Sequence, residues 1–178
     1  MKYRVSKRTG KFAGLNQTKD EINKKFNLIL TKEPYNLSDN IIFLGEIERN
    51  NDFEKEDNLP SIDEMGKTYK HFDDSGIVIK IPKGIIVISG CSHSGICNII
   101  EYAKKVTNME KVFAVIGGFH LKELNNQTNK TIDYFINNNI ENIYLAHCTS
   151  DIVCEEFKKR IPKNVKIISS DVCLNIDE

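Results

Sequence analysis

Apolar residues in the second half of the chain fall into short β-branched runs separated by stretches with a helical period. Residues 85–88 read Ile-Ile-Val-Ile and end in Ser89-Gly90, residues 111–116 end at Gly117-Gly118, and residues 143–146 end at His147. Runs of this length, bounded by turn residues, read as buried strands. Between them, Ile96, Ile99, Ile100, Ala103 and Val106 share one face of a helix that follows His93. A second helix is expected over residues 127–138, burying Ile132, Phe135 and Ile136 and stopped by Asn137-Asn138-Asn139. A third is expected over residues 151–160, capped by Ser150, presenting Ile152, Val153 and Phe157 and closed by Pro162. A last strand, residues 165–169, follows it. Strands alternating with helices imply right-handed crossovers and a mainly parallel region.

The first half has a different rhythm. Residues 1–17 are basic and without period, and read as loop with a short edge strand at residues 3–5. Thr18-Lys19-Asp20-Glu21 has capping-box spacing and predicts a helix over residues 19–25. Strands are expected at residues 26–30 and 41–47, with Pro34 and Ser38-Asp39-Asn40 as punctuation. Residues 48–67 are acidic and polar, and read as a solvated loop, with a substrate-facing lid as the sharper alternative. Asp73-Asp74-Ser75-Gly76 signals a hairpin between residues 69–72 and 77–81, and Pro82-Lys83-Gly84 makes a further turn. This half is expected to be antiparallel.

Composition narrows the class. A chain of 178 residues, 40% hydrophobic and 28% charged, fits one soluble domain spanning residues 1–178 with its own core. Its 25 basic and 25 acidic residues cancel, so no nucleic-acid surface is expected. The longest apolar run is strand-sized, so no membrane association is expected. The basic start is followed by no apolar stretch of signal-peptide type, and a cytoplasmic location is expected. Five cysteines, an odd number, read as thiols in a reducing compartment.

His93, His120 and His147 are evenly spaced, and each follows an apolar strand and precedes a helix. In a parallel sheet all three reach one carboxyl edge. Three imidazole donors with an open fourth position are a common way to hold catalytic zinc, which lowers the pKa of bound water to about 7 and polarises a substrate oxygen. The three are therefore candidate ligands of a divalent metal, zinc first, with iron or manganese as alternatives. A histidine more often sits in a core or on a surface, and His71, in the expected hairpin, takes that reading. Alternation along a strand end turns Cys148 away from any site that His147 faces. Thiolates also ligate zinc, and Cys91, two positions before His93 across a turn, is not turned away by that alternation; both cysteines nonetheless read as packing thiols, and Cys97, Cys154 and Cys173 as small buried hydrophobes. Gly117-Gly118 is a candidate substrate-binding turn whose amides would cradle a phosphate, with a plain tight turn as the alternative.

Gly90-Cys-Ser-His93-Ser-Gly95, Gly117-Gly-Phe-His120-Leu and Ala146-His147-Cys-Thr149 resemble the carboxyl-terminal motifs of the metallo-β-lactamase superfamily. Within it they resemble the branch named for dihydropterin–ribofuranosylaminobenzene phosphate synthase of methanopterin biosynthesis. Gly45-Glu46-Ile47-Glu48-Arg49, followed by Asp52-Phe53-Glu54, is also similar to that branch. The resemblance runs from about Lys2 onward. It implies an α/β fold, the carboxyl-terminal part of an αβ/βα sandwich, with a mixed sheet, helices packed on it and a metal site at the sheet edges. By the same resemblance His93 follows the first metal motif as a ligand, His147 is the last ligand, and His120 stands where other members place a bridging aspartate.

The superfamily's leading His-x-His-x-Asp-His motif is absent from these residues, since no two of the four histidines lie two positions apart. The resemblance then implies a domain incomplete at its amino-terminal side. The expected function is part of a metal-dependent hydrolase or transferase acting on a small molecule, phosphorylated or of pterin type. Such a part would be inactive or impaired alone and completed by a partner polypeptide or a second copy. The alternative is a degenerate, non-catalytic domain used for binding or assembly.

Overall fold

A computed structural model describes residues 4–6, 15–54, 61–63, 65, 67–69, 71–169 and 171–175. In chain order the elements are β1 (Arg4–Ser6), α1 (Lys19–Asn23), β2 (Tyr35–Asn36), β3 (Ile41–Phe43), β4 (Ser61–Asp63), β5 (Thr68–Tyr69), β6 (Gly76–Ile81) and β7 (Gly84–Ser89). There follow α2 (Ile96–Thr107), β8 (Val112–Gly117), α3 (Asn126–Asn137), β9 (Asn142–Leu145), α4 (Asp151–Arg160) and β10 (Val165–Ile167). Seven strands form one mixed sheet in the order β10-β9-β8-β7-β6-β3-β2. The pairs from β7 to β10 are parallel, and those joining β7, β6, β3 and β2 are antiparallel. The α/β class and the division into an antiparallel and a parallel half are as the hydrophobic pattern predicts. A separate antiparallel sheet holds β1, β4 and β5.

From β7 to β10 the chain steps one strand at a time in a single direction, through α2, α3 and α4. Right-handed crossovers taken successively in one direction put every connecting helix on the same face of a sheet. That face carries the main core. Ile85, Val87, Val115 and Ile143 pack against Ile96, Ile99, Ile100 and Ala103 of α2, Ile132 and Phe135 of α3, and Val153 and Phe157 of α4. Phe119, Phe135 and Phe157 meet ring to ring, with centroids 5.3, 5.6 and 5.8 Å apart. On the other face, Ile86, Ala114 and Tyr144 are buried among partly buried Ile79, Ile88, Phe113 and Ile116. Apolar residues on both faces of β7 and β8 explain why these strands read as unbroken runs rather than alternating ones.

Several local expectations need correction. Residues 26–30 form no strand, and Phe26, Ile29 and Leu30 are exposed, because β2 occupies the edge beside β3. The strand expected over residues 41–47 stops at Phe43. Two residues on, Gly45 turns at φ 75° and packs against the Lys32 carbonyl, where a Cβ would lie 2.2 Å from its oxygen. The hairpin expected across residues 69–81 does not form. β5 pairs with β4, whereas both edges of β6 are taken by β3 and β7. On α3 the buried stripe is Thr128, Thr131, Ile132 and Phe135, and Ile136 falls beyond its edge. On α4 the stripe is Val153, Cys154 and Phe157, which leaves Ile152 about 100° away and exposed. Ser150 stands at the N-cap of α4 without capping it, because its hydroxyl donates to the Lys122 carbonyl at 2.9 Å. Thr18 does form its capping box with Glu21.

Candidate metal centre at the sheet edge

β7, β8 and β9 are in register, with Ile88 opposite Ile116 and Gly117 opposite Leu145, so their carboxyl ends come level. Each then leaves the sheet through a non-glycine residue in the left-handed region: Ser92 (φ 55°), His120 (φ 50°) and His147 (φ 53°). Such residues cost about 1–3 kcal/mol each and cluster at functional sites. Hydrogen bonds lace the three turns into one unit. The Gly118 amide donates to the Gly90 carbonyl at 2.9 Å, and the Ala146 amide donates to the Gly117 carbonyl at 3.0 Å. The buried Ser92 hydroxyl donates to the Gly118 carbonyl at 2.7 Å and lies 2.8 Å from the Ser89 hydroxyl. The Phe119 amide donates to Thr149 Oγ1 at 3.0 Å. The glycine pair permits this closeness. A Cβ on Gly117 would sit 2.2 Å from the Ser89 carbonyl oxygen, and one on Gly118 would sit 2.6 Å from the Cys148 sulfur.

The rings of His93 and His120 meet edge to face, with centroids 4.7 Å apart. His93 also meets the buried His71 ring, with centroids 5.1 Å apart. His71 is buried, as its structural reading expects, and its place beside His93, which sequence spacing does not signal, has a topological reason. β6 runs antiparallel to β7 with Gly76 opposite Ser89, so the segment before β6 arrives at the edge where β7 leaves. His147 groups instead with Cys91 and Cys148, the ligand atoms of all three lying within 4.8 Å of one another. Cys148 therefore does not turn away from His147. The left-handed backbone at His147 ends the extended geometry on which strand alternation depends. Cys97 and Cys154 are buried as expected, whereas Cys173 is exposed, lying after the last strand. Burial, and then the neighbouring Cys148 sulfur, push the Cys91 thiol up to about 11.

The His93 turn is anchored by two carboxylates. Asp74 accepts from the Ser94 amide at 2.8 Å. α2 begins at Gly95, which has no side chain to cap it, and Glu54 takes over that role. Its two carboxylate oxygens accept from the Cys97 and Asn98 amides at 3.1 and 2.9 Å. Gly95 (φ 89°) makes room, since a Cβ there would lie 2.4 Å from the Glu54 carboxyl. Asn98 completes the join by accepting from the Asn50 and Asn51 amides at 2.9 and 3.1 Å. Residues 50–54 are thus docked on α2, with Glu54 only 2% exposed, and are not the solvated loop expected of them. Residues 55–60, 64 and 66 of that stretch lie outside the described residues, and residues 61–63 form β4 rather than loop. Burial raises the Glu54 pKa above the ordinary carboxylate range, outweighing donors from Asn51, Cys97 and Asn98 that act to lower it.

The fold is that of a metallo-β-lactamase-like sandwich. The crystal structure of Tm1679, a metal-dependent hydrolase of the β-lactamase superfamily, matches 100% of this chain and 68% of its own with a TM-score of 0.81 at 21% identity. In sequence the chain is 35% identical over 141 residues to 7,8-dihydropterin-6-methyl-4-(beta-D-ribofuranosyl)-aminobenzene-5'-phosphate synthase of Methanocaldococcus jannaschii, which covers 74% of this chain and 48% of the relative. It is 36% identical over 134 residues to an uncharacterized protein of the same organism, covering 75% and 49%. The chain spans about half the length of these curated relatives. No protein-family model matches it. Among the described residues no helix is long and apolar enough to cross a membrane.

Proposed function

We propose that this chain supplies the carboxyl-terminal ligand-bearing edges of a metal-dependent hydrolase or transferase acting on a small molecule, phosphorylated or of pterin type. The observation that carries this reading is the meeting of the His93 and His120 rings at 4.7 Å on one sheet edge. The donor set fits a divalent ion, because imidazole nitrogens suit zinc, iron and related metals. His93 and His120 would hold it, with zinc first and iron or manganese as alternatives, whereas His147 groups with Cys91 and Cys148 rather than with them. When bound, such an ion lowers the pKa of a water ligand and polarises a substrate oxygen. The chain's own residues set the geometry. Asp74 and Glu54 fix the backbone on either side of Ser94 and Gly95, and so aim His93. Gly117 and Gly118 let the Ser89 and Cys148 turns close on the strand end before His120, and the Gly118 amide, bonded to the Gly90 carbonyl, serves that packing rather than a phosphate cradle.

The substrate class rests on the named synthase among the relatives. Residues 1–178 act as one domain in this reading, and ligands outside these residues complete the centre. A cytoplasmic setting is part of it, since Cys97 and Cys154 are free thiols. A non-catalytic binding module is the second reading. Competition for zinc against a chromophoric chelator separates the two. His93→Ala and His120→Ala should each weaken binding by more than the roughly 10–100-fold typical of outer-shell changes. Adding a polypeptide that bears the missing motif should tighten it. Zinc affinity unmoved by either substitution, or no measurable zinc binding with or without the added polypeptide, overturns the metal-centre reading.

A further inference from the structure

We propose that Cys91, Cys148 and His147 form a donor set for a thiophilic divalent ion such as zinc, cobalt or cadmium. One ligand atom from each lies within 4.8 Å of the other two. Tetrahedral zinc, with Zn–S near 2.3 Å and Zn–N near 2.0–2.1 Å, holds neighbouring ligand atoms roughly 3.5–3.8 Å apart. The set therefore closes on an ion with shifts of about 1 Å or less, within the reach of side-chain rotation.

The backbone around these residues is already built to hold them. Cys148 Sγ donates to the Cys91 carbonyl at 3.5 Å, and the Gly118 amide ties the intervening turn to Gly90. Gly118 leaves the space that the Cys148 sulfur occupies. The Lys122 ammonium donates to the Cys148 carbonyl and holds the far side of the turn. The left-handed backbone at His147 is what puts consecutive residues, an imidazole and a thiol, on the same centre. His147 is exposed and both cysteines are half-buried, so an ion reaches them from solvent. Two thiolates and one imidazole are a softer set than the neighbouring imidazole cluster, and three protein donors leave a fourth position for water or a substrate atom. Binding converts two thiols to thiolates, releases two protons and leaves the dication neutralised. This donor set is separate from the His93–His120 pair of the centre proposed above, so the two readings fail separately.

Cobalt(II) titration of the reduced full chain tests it, because thiolate ligation gives a ligand-to-metal charge-transfer band that imidazole ligation does not. The band should appear in the natural chain, persist in Cys173→Ser and His93→Ala, and fall by more than half in Cys91→Ser or Cys148→Ser. Should the serine variants misfold, cadmium protection of the natural chain decides, and it should shield two thiols from a thiol-specific reagent. Cobalt bound without the band, a full band in the double serine variant, or no thiol shielded by cadmium would overturn the inference. Loss of the band together with retained zinc binding at His93 and His120 would leave the metal-centre reading standing.

Discussion

Gly117→Ala should cost about 3–5 kcal/mol in a urea melt, whereas Gly90→Ala, just past the end of the neighbouring strand, should change stability by less than about 0.5 kcal/mol. Gly117 has φ 145°, a conformation essentially confined to glycine, and an added Cβ would meet the Ser89 carbonyl oxygen at 2.2 Å. The atom it meets is backbone, so relief requires β7 and β8 to part where their turns are bonded together. Backbone strain and overpacking each contribute about 1–3 kcal/mol, a large share of a domain's 5–15 kcal/mol. Gly90 is exposed, and nothing lies within 4 Å of a Cβ built there. Equal melting midpoints for the two variants would show that the turns are not packed as described.

Glu54→Ala should destabilise the fold by about 2–5 kcal/mol, since the Cys97 and Asn98 amides would each be left buried without an acceptor at about 1–3 kcal/mol apiece. Water cannot replace the carboxylate easily, because Ile96, Cys97 and Asn98 are all buried. The same residue gives a pH signature. Its folded pKa lies above its unfolded value, mainly through burial, so the folded state holds the proton more tightly than the unfolded chain. The linked stabilisation is complete below the ordinary carboxylate value of about 4.3 and is lost as pH rises through the folded value. Chemical melts from pH 4 upward should show this loss in the natural chain and not in Glu54→Gln, whose side chain does not titrate. Identical pH profiles for the two would refute the assignment.

The parallel half of the fold was legible because its signals are local. The Ile85–Ile88 run, the Gly117-Gly118 break and the periodic face of α2 each lie within one element, and the strand–helix alternation orders them. The antiparallel half was less legible, because its pairing depends on which sheet edges are already occupied. Residues 26–30 are as apolar as a strand but find the position beside β3 filled by β2. His93, His120 and His147 stood out through their shared place after a strand. His71 did not, because only the antiparallel neighbour relation of β6 and β7 brings it beside His93. Glu54 was hidden for a similar reason, since it caps a helix whose first amides lie 43 and 44 residues further on. Cys148 was misjudged by extending strand alternation through a residue that turns into the left-handed region.

A metal centre at the carboxyl edge of β7, β8 and β9 is what we propose. Anomalous diffraction at the zinc edge, from crystals grown with zinc, tests it most directly. A peak bonded to imidazole nitrogens of His93 and His120, at about 2.0–2.1 Å, is predicted. No peak at that edge, or zinc held only by residues elsewhere on the chain, would contradict it.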